Sequence, residues 1–224
     1  DLVRSRGLGD VYKRQIKDGA KNRLREQDIR RIVDAWQAQR DVPHYARFVP
    51  MEEIERNDYN LNIPRYVSAP DTEILQDIDA HLHGGLPKHD IDQFDTYWEV
   101  CPSLCDDLFC DYPTRKGYYS LKCNPEAVRD AVTGNVDFRN QKEVFQKSFA
   151  GWCDSHRAQL YALVPGFAPK KLIERLGNSL LAVFEVDKSL VEAYDVYDGL
   201  MNYWGETMQD DCYMIPSGGW TVQL

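Results

Sequence analysis

Residues 57–66 read Asn-Asp-Tyr-Asn-Leu-Asn-Ile-Pro-Arg-Tyr, and this stretch decides how the rest of the chain is interpreted. Asn and Asp favour turns because their side chains hydrogen-bond to nearby backbone groups. Pro64 removes a donor and pushes the residue before it toward an extended backbone. A buried irregular segment must pair every backbone group. We therefore expect a specific turn, with its apolar side chains suited to burial: Tyr59, Leu61, Ile63 and Tyr66.

The composition indicates a globular chain with one large or two small domains. Of its 224 residues, 43% are hydrophobic and 12% aromatic, which is enough for a core. No apolar run is long enough for a transmembrane helix, and no N-terminal stretch has the pattern of a signal peptide. Six irregularly spaced cysteines in an acidic chain favour reduced thiols and a cytoplasmic location.

Charge is distributed unevenly along the chain. Residues 1–40 carry eleven Lys+Arg against six Asp+Glu, a net charge of +5, whereas residues 41–224 carry 16 against 30, a net charge of −14. Such an acidic body is not suited to broad electrostatic binding of nucleic acid. It favours either docking on other proteins or ordinary surface acidity.

Residues 1–15 differ from the rest because two glycines interrupt a basic run that has no helical or strand period. The string resembles a translated sequencing-adapter artefact, and a basic nucleic-acid-binding arm is the alternative. We expect this stretch to be non-native. The final residues, from Ile215 to Leu224, have no stop signal of their own, and we expect the chain to be truncated there.

Apolar spacing predicts a helix over about residues 26–40, with Ile29, Ile32, Val33 and Trp36 on one face. A short strand is expected over 45–49 and a short helix over 51–56, after Pro50. Beyond the turn, helices are predicted from Thr72 to about His81, near Asp90, from Asn124, over 138–163, from Pro169 and from a cap at Asp187.

Three constellations are candidates for a site. The best-looking metal ligands are His81, His83 and His89 with Asp90 and Asp92, although a turn with hydrogen-bonded histidines is the alternative. A second candidate is zinc on four cysteines, and buried free thiols are its alternative: Cys101, Cys105, Cys110 and Cys123.

The third candidate is a surface for stacking nucleic acid bases on Tyr112, Tyr118 and Tyr119 beside Arg115 and Lys116. Three nearby acids would repel a phosphate backbone: Asp106, Asp107 and Asp111. A loop between helices is therefore the preferred interpretation. The pairs Asp106-Asp107 and Asp210-Asp211 could act as catalytic carboxylates, but they lie at or near predicted helix ends without a basic partner.

Residues 57–66, 80–92 and 194–211 resemble the modification (M) subunits of type I restriction-modification systems, which are N6-adenine DNA methyltransferases. The resemblance covers most of residues 16–215. It implies an α/β domain that binds S-adenosylmethionine and methylates a flipped-out adenine. It also implies DNA, a specificity subunit and a restriction subunit as partners in the complete complex.

The family's Asn/Asp-Pro-Pro-Phe/Tyr motif does not occur, because the sequence contains no Pro-Pro pair. Gly-Leu-Gly at 7–9 lacks a preceding strand and the spacing of a nucleotide-binding loop. We therefore assign no catalytic, cofactor-binding or metal residues. For this fragment alone we expect no cofactor and no methyltransferase activity.

The predicted fold class is mostly α, with a small α/β remnant of a methyltransferase domain followed by a helical region. The expected divisions are 1–15, a non-native N-terminus; 16–66, the end of the catalytic domain; and 67–224, a helical C-terminal region that docks on partners. The alternative function is a stand-alone helical protein-interaction module. A metal-dependent enzyme built on His81, His83 and His89 is a third possibility.

Overall fold

A computed structural model of the chain describes residues 16–18, 21–43, 45–67, 76–186 and 189–220. This part is mainly helical with short antiparallel strands, which confirms the predicted fold class. Three predictions fall outside the described residues: the artefact at 1–15, the first part of the helix from Thr72, and the cap at Asp187. None of the described helices combines the length and hydropathy that a membrane crossing requires.

The chain forms two compact units. The first comprises Asp1–Ile74 and Tyr194–Gln209, and the second comprises Leu75–Ala193 and Asp210–Leu224. The domain limits expected from the sequence, at residues 15/16 and 66/67, stay a prediction.

The first unit opens with an antiparallel hairpin in which Ile16 pairs with Arg23. Glu26 and Asp28 lie in the first turn of the following helix, where their negative charges interact favourably with the positive end of the helix dipole. The predicted helices over 26–40 and 51–56 are both confirmed. The elements before residue 74 are β1 (Ile16–Asp18), β2 (Lys21–Arg23), α1 (Glu26–Ala38), α2 (Met51–Arg56) and a 3₁₀ turn (Ile63–Arg65).

The strand predicted over 45–49 is wrong. Val42 and Ala46 make a single antiparallel bridge with N–H···O distances of 2.8 and 3.0 Å. Tyr45 also donates its backbone N–H to the Val42 carbonyl. These backbone groups are used up within a tight local turn, so none of these pairings extends into a ladder with another strand.

A small apolar core holds the segment around the 57–66 stretch. Ile54, Tyr66 and Val67 are buried, and Val49 and Ile63 pack against them. The short helix α2 and the 3₁₀ turn therefore share one core, which fixes the entry to and exit from the Asn-rich turn.

The second unit contains more helices and a small sheet. The helices predicted near Asp90, from Asn124, over 138–163 and from Pro169 are all present. Its elements are α3 (Ile78–His83), β3 (Leu86–Pro87), α4 (Lys88–Asp92), α5 (Asp95–Val100), α6 (Pro102–Leu108), β4 (Phe109–Asp111), β5 (Tyr118–Leu121), α7 (Val128–Gly134), α8 (Val136–Tyr161) and α9 (Pro169–Phe184).

A loop between helices was expected around Tyr112, Tyr118 and Tyr119, and this is wrong, because the segment is built from the strands β4 and β5 and the turn that joins them. They form an antiparallel hairpin, with Phe109 opposite Leu121, and β3 pairs with the other edge of β5 to give the order β3-β5-β4. Aromatic side chains suit a pleated surface, and Gly117, at φ 86°, provides the left-handed residue of the turn. The strands are too short for their alternation to stand out in the sequence.

Helices α8 and α9 form a hairpin joined by residues 162–168. Ring contacts run along one face of α8 from Phe145 through Phe149 and Trp152 to His156. Phe184 of α9 lies 4.9 Å from the Phe145 ring. Leucines of α9 are buried at i, i+4 and i+8: Leu172, Leu176 and Leu180.

The last helical stretch runs through α10 (Ala193–Tyr203), a π-helical segment (Trp204–Met208) and α11 (Gln209–Gly218). Asp210 and Asp211 lie in the first turn of α11, which agrees with their expected place near a helix end. Cys212 and Ile215 are buried in the second unit.

Candidate functional site

The Asn57–Tyr66 turn is held by hydrogen bonds from its own polar groups. The Tyr66 hydroxyl donates to the Asn60 carbonyl at 2.5 Å, and Asn60 Oδ1 accepts from the Asn62 N–H at 2.9 Å. Asn57 Nδ2 donates to the Glu53 carbonyl at 3.0 Å and so closes the end of α2. Asn57, Asn60 and Tyr66 thus each have a role in this turn.

Two of the four side chains expected inside the turn are on the surface instead. Tyr66 is buried and Ile63 is partly buried, as predicted, but Tyr59 is 62% exposed and Leu61 is 44% exposed. Asp58 and Tyr59 have φ angles of 53° and 55°. This pair of left-handed residues reverses the chain after α2 and turns Tyr59 outward, at a cost of about 1–2 kcal/mol per residue.

A bidentate ion pair braces the turn from the side of α2. Arg47 Nη1 and Nη2 donate to the two carboxylate oxygens of Glu53 at 2.8 Å each, and Nη1 also reaches the Tyr66 carbonyl at 3.4 Å. The hydrogen bond from Arg47 lowers the pKa of Glu53. This planar two-point contact fixes orientation as well as distance.

Residues 194–198 contact α1, and we call these contacts the α1–α10 seam. Gln27 is buried, with its backbone N–H 3.3 Å from Asp198 Oδ1 and its Nε2 2.9 Å from Asp195 Oδ1. The N-cap residue Arg25 offers no side-chain cap. Asp198 therefore satisfies a helix-terminal donor from a point 171 residues along the chain.

On its aromatic side, the seam packs arginine guanidinium groups against tyrosine rings. Arg30 Nε bonds both carboxylate oxygens of Asp34, at 2.9 and 2.8 Å, and its guanidinium lies 5.8 Å from the Tyr197 ring. The Tyr194 hydroxyl donates to Asp34 at 3.1 Å. Arg31 lies against the rings of Tyr45, at 4.4 Å, and Tyr194, at 5.6 Å.

The pKa shifts in the seam follow from this burial. Burial raises the pKa of the Tyr197 phenol, and the nearby Arg30 charge only partly offsets it. Burial alone would lower the pKa of Arg30, but the hydrogen bond and charge of Asp34 outweigh it and the pKa is raised. Both groups keep fixed protonation states near neutral pH, so the seam is suited to holding structure rather than moving protons.

One face of α1 remains on the surface of the first unit. Ile29, Val33 and Trp36 are 41%, 41% and 44% exposed, although the sequence places them on the apolar face of an amphipathic helix. We call these three side chains the α1 stripe. The buried positions of α1 are instead Gln27 and Ala35. An exposed apolar stripe of this kind indicates a contact surface.

The histidine candidates do not converge. His83 Nδ1 lies 3.0 Å from Asp79 Oδ1, and His89 Nε2 lies 3.2 Å from Asp90 Oδ1. Each is a separate local pair. Among residues 16–18, 21–43, 45–67, 76–186 and 189–220, no three His, Cys, Asp or Glu side chains are grouped as metal ligands would be. The structure thus brings neither His81 nor Asp92 into such a group.

The cysteine candidates are also separated by their environments. Cys101 is completely buried in the core of the second unit, whereas Cys110 is exposed on β4. Burial, with a smaller contribution from Asp137, raises the pKa of the Cys101 thiol, and burial likewise raises the pKa of Cys105. A raised thiol pKa disfavours the thiolate that a zinc ion or a nucleophilic reaction needs.

The aromatic-basic candidate is used inside the fold. Arg115 donates to the Gly84 carbonyl at 2.6 Å, pairs with the Asp79 carboxylate and lies 3.6 Å from the Tyr118 ring. The Tyr118 hydroxyl donates to Asp77 Oδ2 at 2.8 Å. These contacts fasten α3 to the sheet, so Arg115 and Tyr118 are not a free stacking surface.

Two polar networks in the second unit were not anticipated. His156 Nε2 and Trp152 Nε1 lie 2.8 and 2.9 Å from Ser179 Oγ, but that hydroxyl also contacts the Leu176 carbonyl at 2.9 Å. Within the described residues no carboxylate orients His156, so this is a helix-pairing contact and not an acyl-transfer site. Its signal in the sequence was only the position of His156 on an apolar helix face.

The second network caps the longest helix. Asn135, which is buried, accepts from the Phe138 N–H at 3.1 Å and donates to Ser103 Oγ and Asp107 Oδ2 at 2.9 and 2.7 Å. Asp137 accepts from both the N–H and the hydroxyl of Ser103, and these bonds lower its pKa. Asp107, a candidate catalytic carboxylate, is therefore a partner of this cap.

Comparison with known proteins bears on the first unit. Residues 9–74, which include α1, α2 and the Asn57–Tyr66 turn, match the N-6 DNA methylase family. The match covers 66 of the 224 residues, and we call residues 9–74 the methylase segment. The methylase match begins at residue 9, so it includes part of the stretch that was expected to be non-native.

Two relatives of the methylase segment come from Methanocaldococcus jannaschii. One is named type I restriction enzyme MjaVII methylase subunit and is 45% identical over 58 residues, which are 26% of this chain and 10% of the relative. The other, the MjaVIII methylase subunit, is 40% identical over 47 residues, or 21% and 8%. The chain thus covers about a tenth of the length of these relatives. No solved structure matches the chain.

Gly84-Gly85, a glycine pair among the described residues, does not fit S-adenosylmethionine, the cofactor that the methylase family implies. Glycine is needed at positions 84 and 85 because tyrosine side chains pack closely there. A Cβ at Gly84 would lie 3.2 Å from Tyr112 Oη, and a Cβ at Gly85 would lie 3.1 Å from Tyr118 Cβ. That pair precedes a two-residue strand, and the side chains of Tyr112 and Tyr118 occupy the space beside it. We therefore derive no chemical step through this cofactor.

Proposed function

We propose that the chain is part of the modification subunit of a type I restriction-modification system. The complete subunit would methylate N6 of adenine in DNA with S-adenosylmethionine, acting in the cytoplasm with specificity and restriction subunits. The observation that carries the proposal is the match of residues 9–74 to the N-6 DNA methylase family, together with two relatives named type I methylase subunits.

The α1 stripe supports a role for the first unit as the closing part of a larger methylase domain. Ile29, Val33 and Trp36 lie at i, i+4 and i+7, so they form one continuous apolar line on α1. Covering the exposed part of each would contribute roughly 1 kcal/mol per side chain. We propose that the remainder of the methylase domain covers this line in the complete subunit.

We further propose that the helical region, residues 67–224, docks on the specificity subunit. Helix α3 supports this role because Ile78 and Leu82, at i and i+4, are 71% and 73% exposed. Two large apolar side chains this exposed on one helix face are unusual for a surface without a partner. The acidic charge of residues 41–224 argues against nucleic acid as that partner.

Co-purification tests the docking role. The full chain carrying an affinity tag is produced together with a type I specificity subunit, and the two are expected to elute as one complex. Leu82→Asp should abolish the complex, because it places a charge in an apolar contact. Leu61→Asp, at an exposed position of the first unit, is the control and should leave it intact. Equal recovery with both variants would refute docking through α3.

The isolated chain is expected neither to bind S-adenosylmethionine nor to methylate DNA. The sequence lacks a Pro-Pro motif and a glycine loop that follows a strand, so the groups that hold the cofactor and the target adenine are missing. Titration calorimetry with the cofactor and transfer of a labelled methyl group to duplex DNA are the measurements. Saturable heat of binding, or label in the DNA, would overturn this expectation.

A further inference from the structure

A groove of about 680 Å³ lies where α8 ends and α9 begins. Its floor is apolar and comes from the connecting residues, including Leu163, Val164 and Phe167. One stripe of α9 forms its rim at i, i+3, i+4 and i+7: Lys171, Glu174, Arg175 and Asn178. The α1–α10 seam and the methylase segment contribute no residue to this groove.

The polar groups of the groove lack partners. Within the described part of the chain, Lys171 and Arg175 make no hydrogen bond or ion pair, whereas Arg25, Arg30, Arg47 and Arg115 are all paired. Gln159 Nε2, which lines the groove, is buried and has no hydrogen-bond partner among the same residues. Leaving such a donor unsatisfied costs about 1–3 kcal/mol. A ligand that brings a hydrogen-bond acceptor to Gln159 Nε2 would remove this cost.

The start of α9 adds a further attraction for negative charge. The N-cap residue, Ala168, has no side-chain acceptor, and the first turn contains no acid. The N–H groups of Lys170 and Lys171 precede the first intrahelical donor, because the Ala168 carbonyl accepts from Leu172. Two cations, a buried amide donor and the positive end of a helix dipole thus border the same apolar floor.

We propose that this groove binds a segment of a partner protein that presents an apolar side chain next to a carboxylate. The apolar side chain would lie on Leu163, Val164 and Phe167, and the carboxylate would accept from Arg175, Lys171 and Gln159 Nε2. Glu174 lies on the same rim and would repel a run of phosphates, which favours a single carboxylate over a nucleic acid backbone. Charge complementarity identifies the occupant as acidic and apolar.

This inference names a surface for the proposed docking role of residues 67–224 and does not rest on the methylase assignment. If the specificity subunit co-purifies while the groove binds nothing, docking uses α3 alone. If the groove binds its probe while no specificity subunit is recovered, the groove serves another partner. The two failures are therefore distinguishable.

The probe is a fluorescein-labelled, alanine-rich helical peptide of about 14 residues with one Leu and one Glu four positions apart. Fluorescence anisotropy with the full chain should give a dissociation constant of about 10–100 μM. K171E/R175E should weaken binding about tenfold or more and should strengthen binding of the same peptide with Glu replaced by Lys. K142E/K147E, at exposed lysines of α8, is the matched control and should bind like the unchanged chain.

A second variant separates a binding role from a structural one. Gln159→Leu should raise the melting temperature, because it removes an unsatisfied buried donor. It should also weaken binding of the peptide about threefold or more. The proposal is overturned if the peptide does not bind, if K142E/K147E weakens binding as much as K171E/R175E, or if a labelled DNA duplex binds more tightly than the peptide and is lost in K171E/R175E.

Discussion

Tyr59 and Tyr66 belong to the same ten-residue stretch but have opposite roles. The Tyr66 hydroxyl is bonded to the Asn60 carbonyl inside the turn, whereas the Tyr59 ring is 62% exposed. Tyr66→Phe should therefore lower the free energy of unfolding by about 0.5–1.5 kcal/mol, since the ring stays and one hydrogen bond is lost. Tyr59→Phe is the matched control. Urea denaturation followed by tryptophan fluorescence measures both, and equal effects would contradict the turn described here.

Asp137 gives the protein a specific weakness in acid. Hydrogen bonds from Ser103 lower its folded-state pKa, so the carboxylate stabilises the fold above the unfolded-state pKa of about 3.9. That contribution is lost as the pH falls from about 4 through the lower folded-state value. Denaturation series between about pH 6 and pH 2.5 should show that the free energy of unfolding falls more steeply with acid for the unchanged chain than for Asp137→Asn. Asp130→Asn, at an exposed site, should keep the steep loss.

At the scale of an element, Asn135 both caps α8 and joins it to α6. Its buried side chain accepts from one backbone N–H and donates to Ser103 and Asp107. Asn135→Ala removes the cap and leaves two acceptors unpaired, so we expect a loss of about 2–3 kcal/mol in the free energy of unfolding. Asn140→Ala, exposed on the same helix, should cost little. A loss below about 0.5 kcal/mol for Asn135→Ala would contradict the cap.

The α1–α10 seam makes a further prediction about an element. Gln27→Ala removes a buried hydrogen bond to Asp195 and should destabilise the chain by about 1–2 kcal/mol. Gln37→Ala, at an exposed position of α1, should not. Because the seam joins segments about 170 residues apart, Gln27→Ala should also increase amide hydrogen exchange in residues 194–203. Increased exchange confined to α1 would contradict the contact.

For the whole molecule, local signals predicted the helices well. Pro169 and the pattern of leucines after it identify α9, and Pro50 with the following acids identifies α2. The sheet over 86–121 was missed because strands of two to four residues show too little alternation. The seam was missed for a different reason. Gln27 and Asp195 are polar residues whose pairing depends on how distant segments meet, and the spacing of residues along the sequence gives no signal for it.

The charge asymmetry also has a meaning for the whole molecule. Residues 41–224 carry a net charge of −14, and Lys171 and Arg175 are two cations of this acidic region that border an apolar groove. Among the candidates suggested by sequence, Arg115 and Tyr118 are used inside the fold, and within the described residues the histidines and the cysteines are not grouped as metal ligands. The surfaces that the structure indicates instead are apolar: the α1 stripe, the exposed face of α3 and the groove floor.

The central claim is that residues around the Asn57–Tyr66 turn close a type I adenine methylase domain. The most direct measurement uses a chimera of the MjaVII methylase subunit, in which the segment corresponding to residues 16–66 is replaced by residues 16–66 of this chain. The chimera should retain the DNA methylation measured for the unchanged MjaVII subunit under the same conditions, and the same chimera with Tyr66→Asp should not. A folded, assembled chimera that methylates no better than its Tyr66→Asp counterpart would contradict the claim.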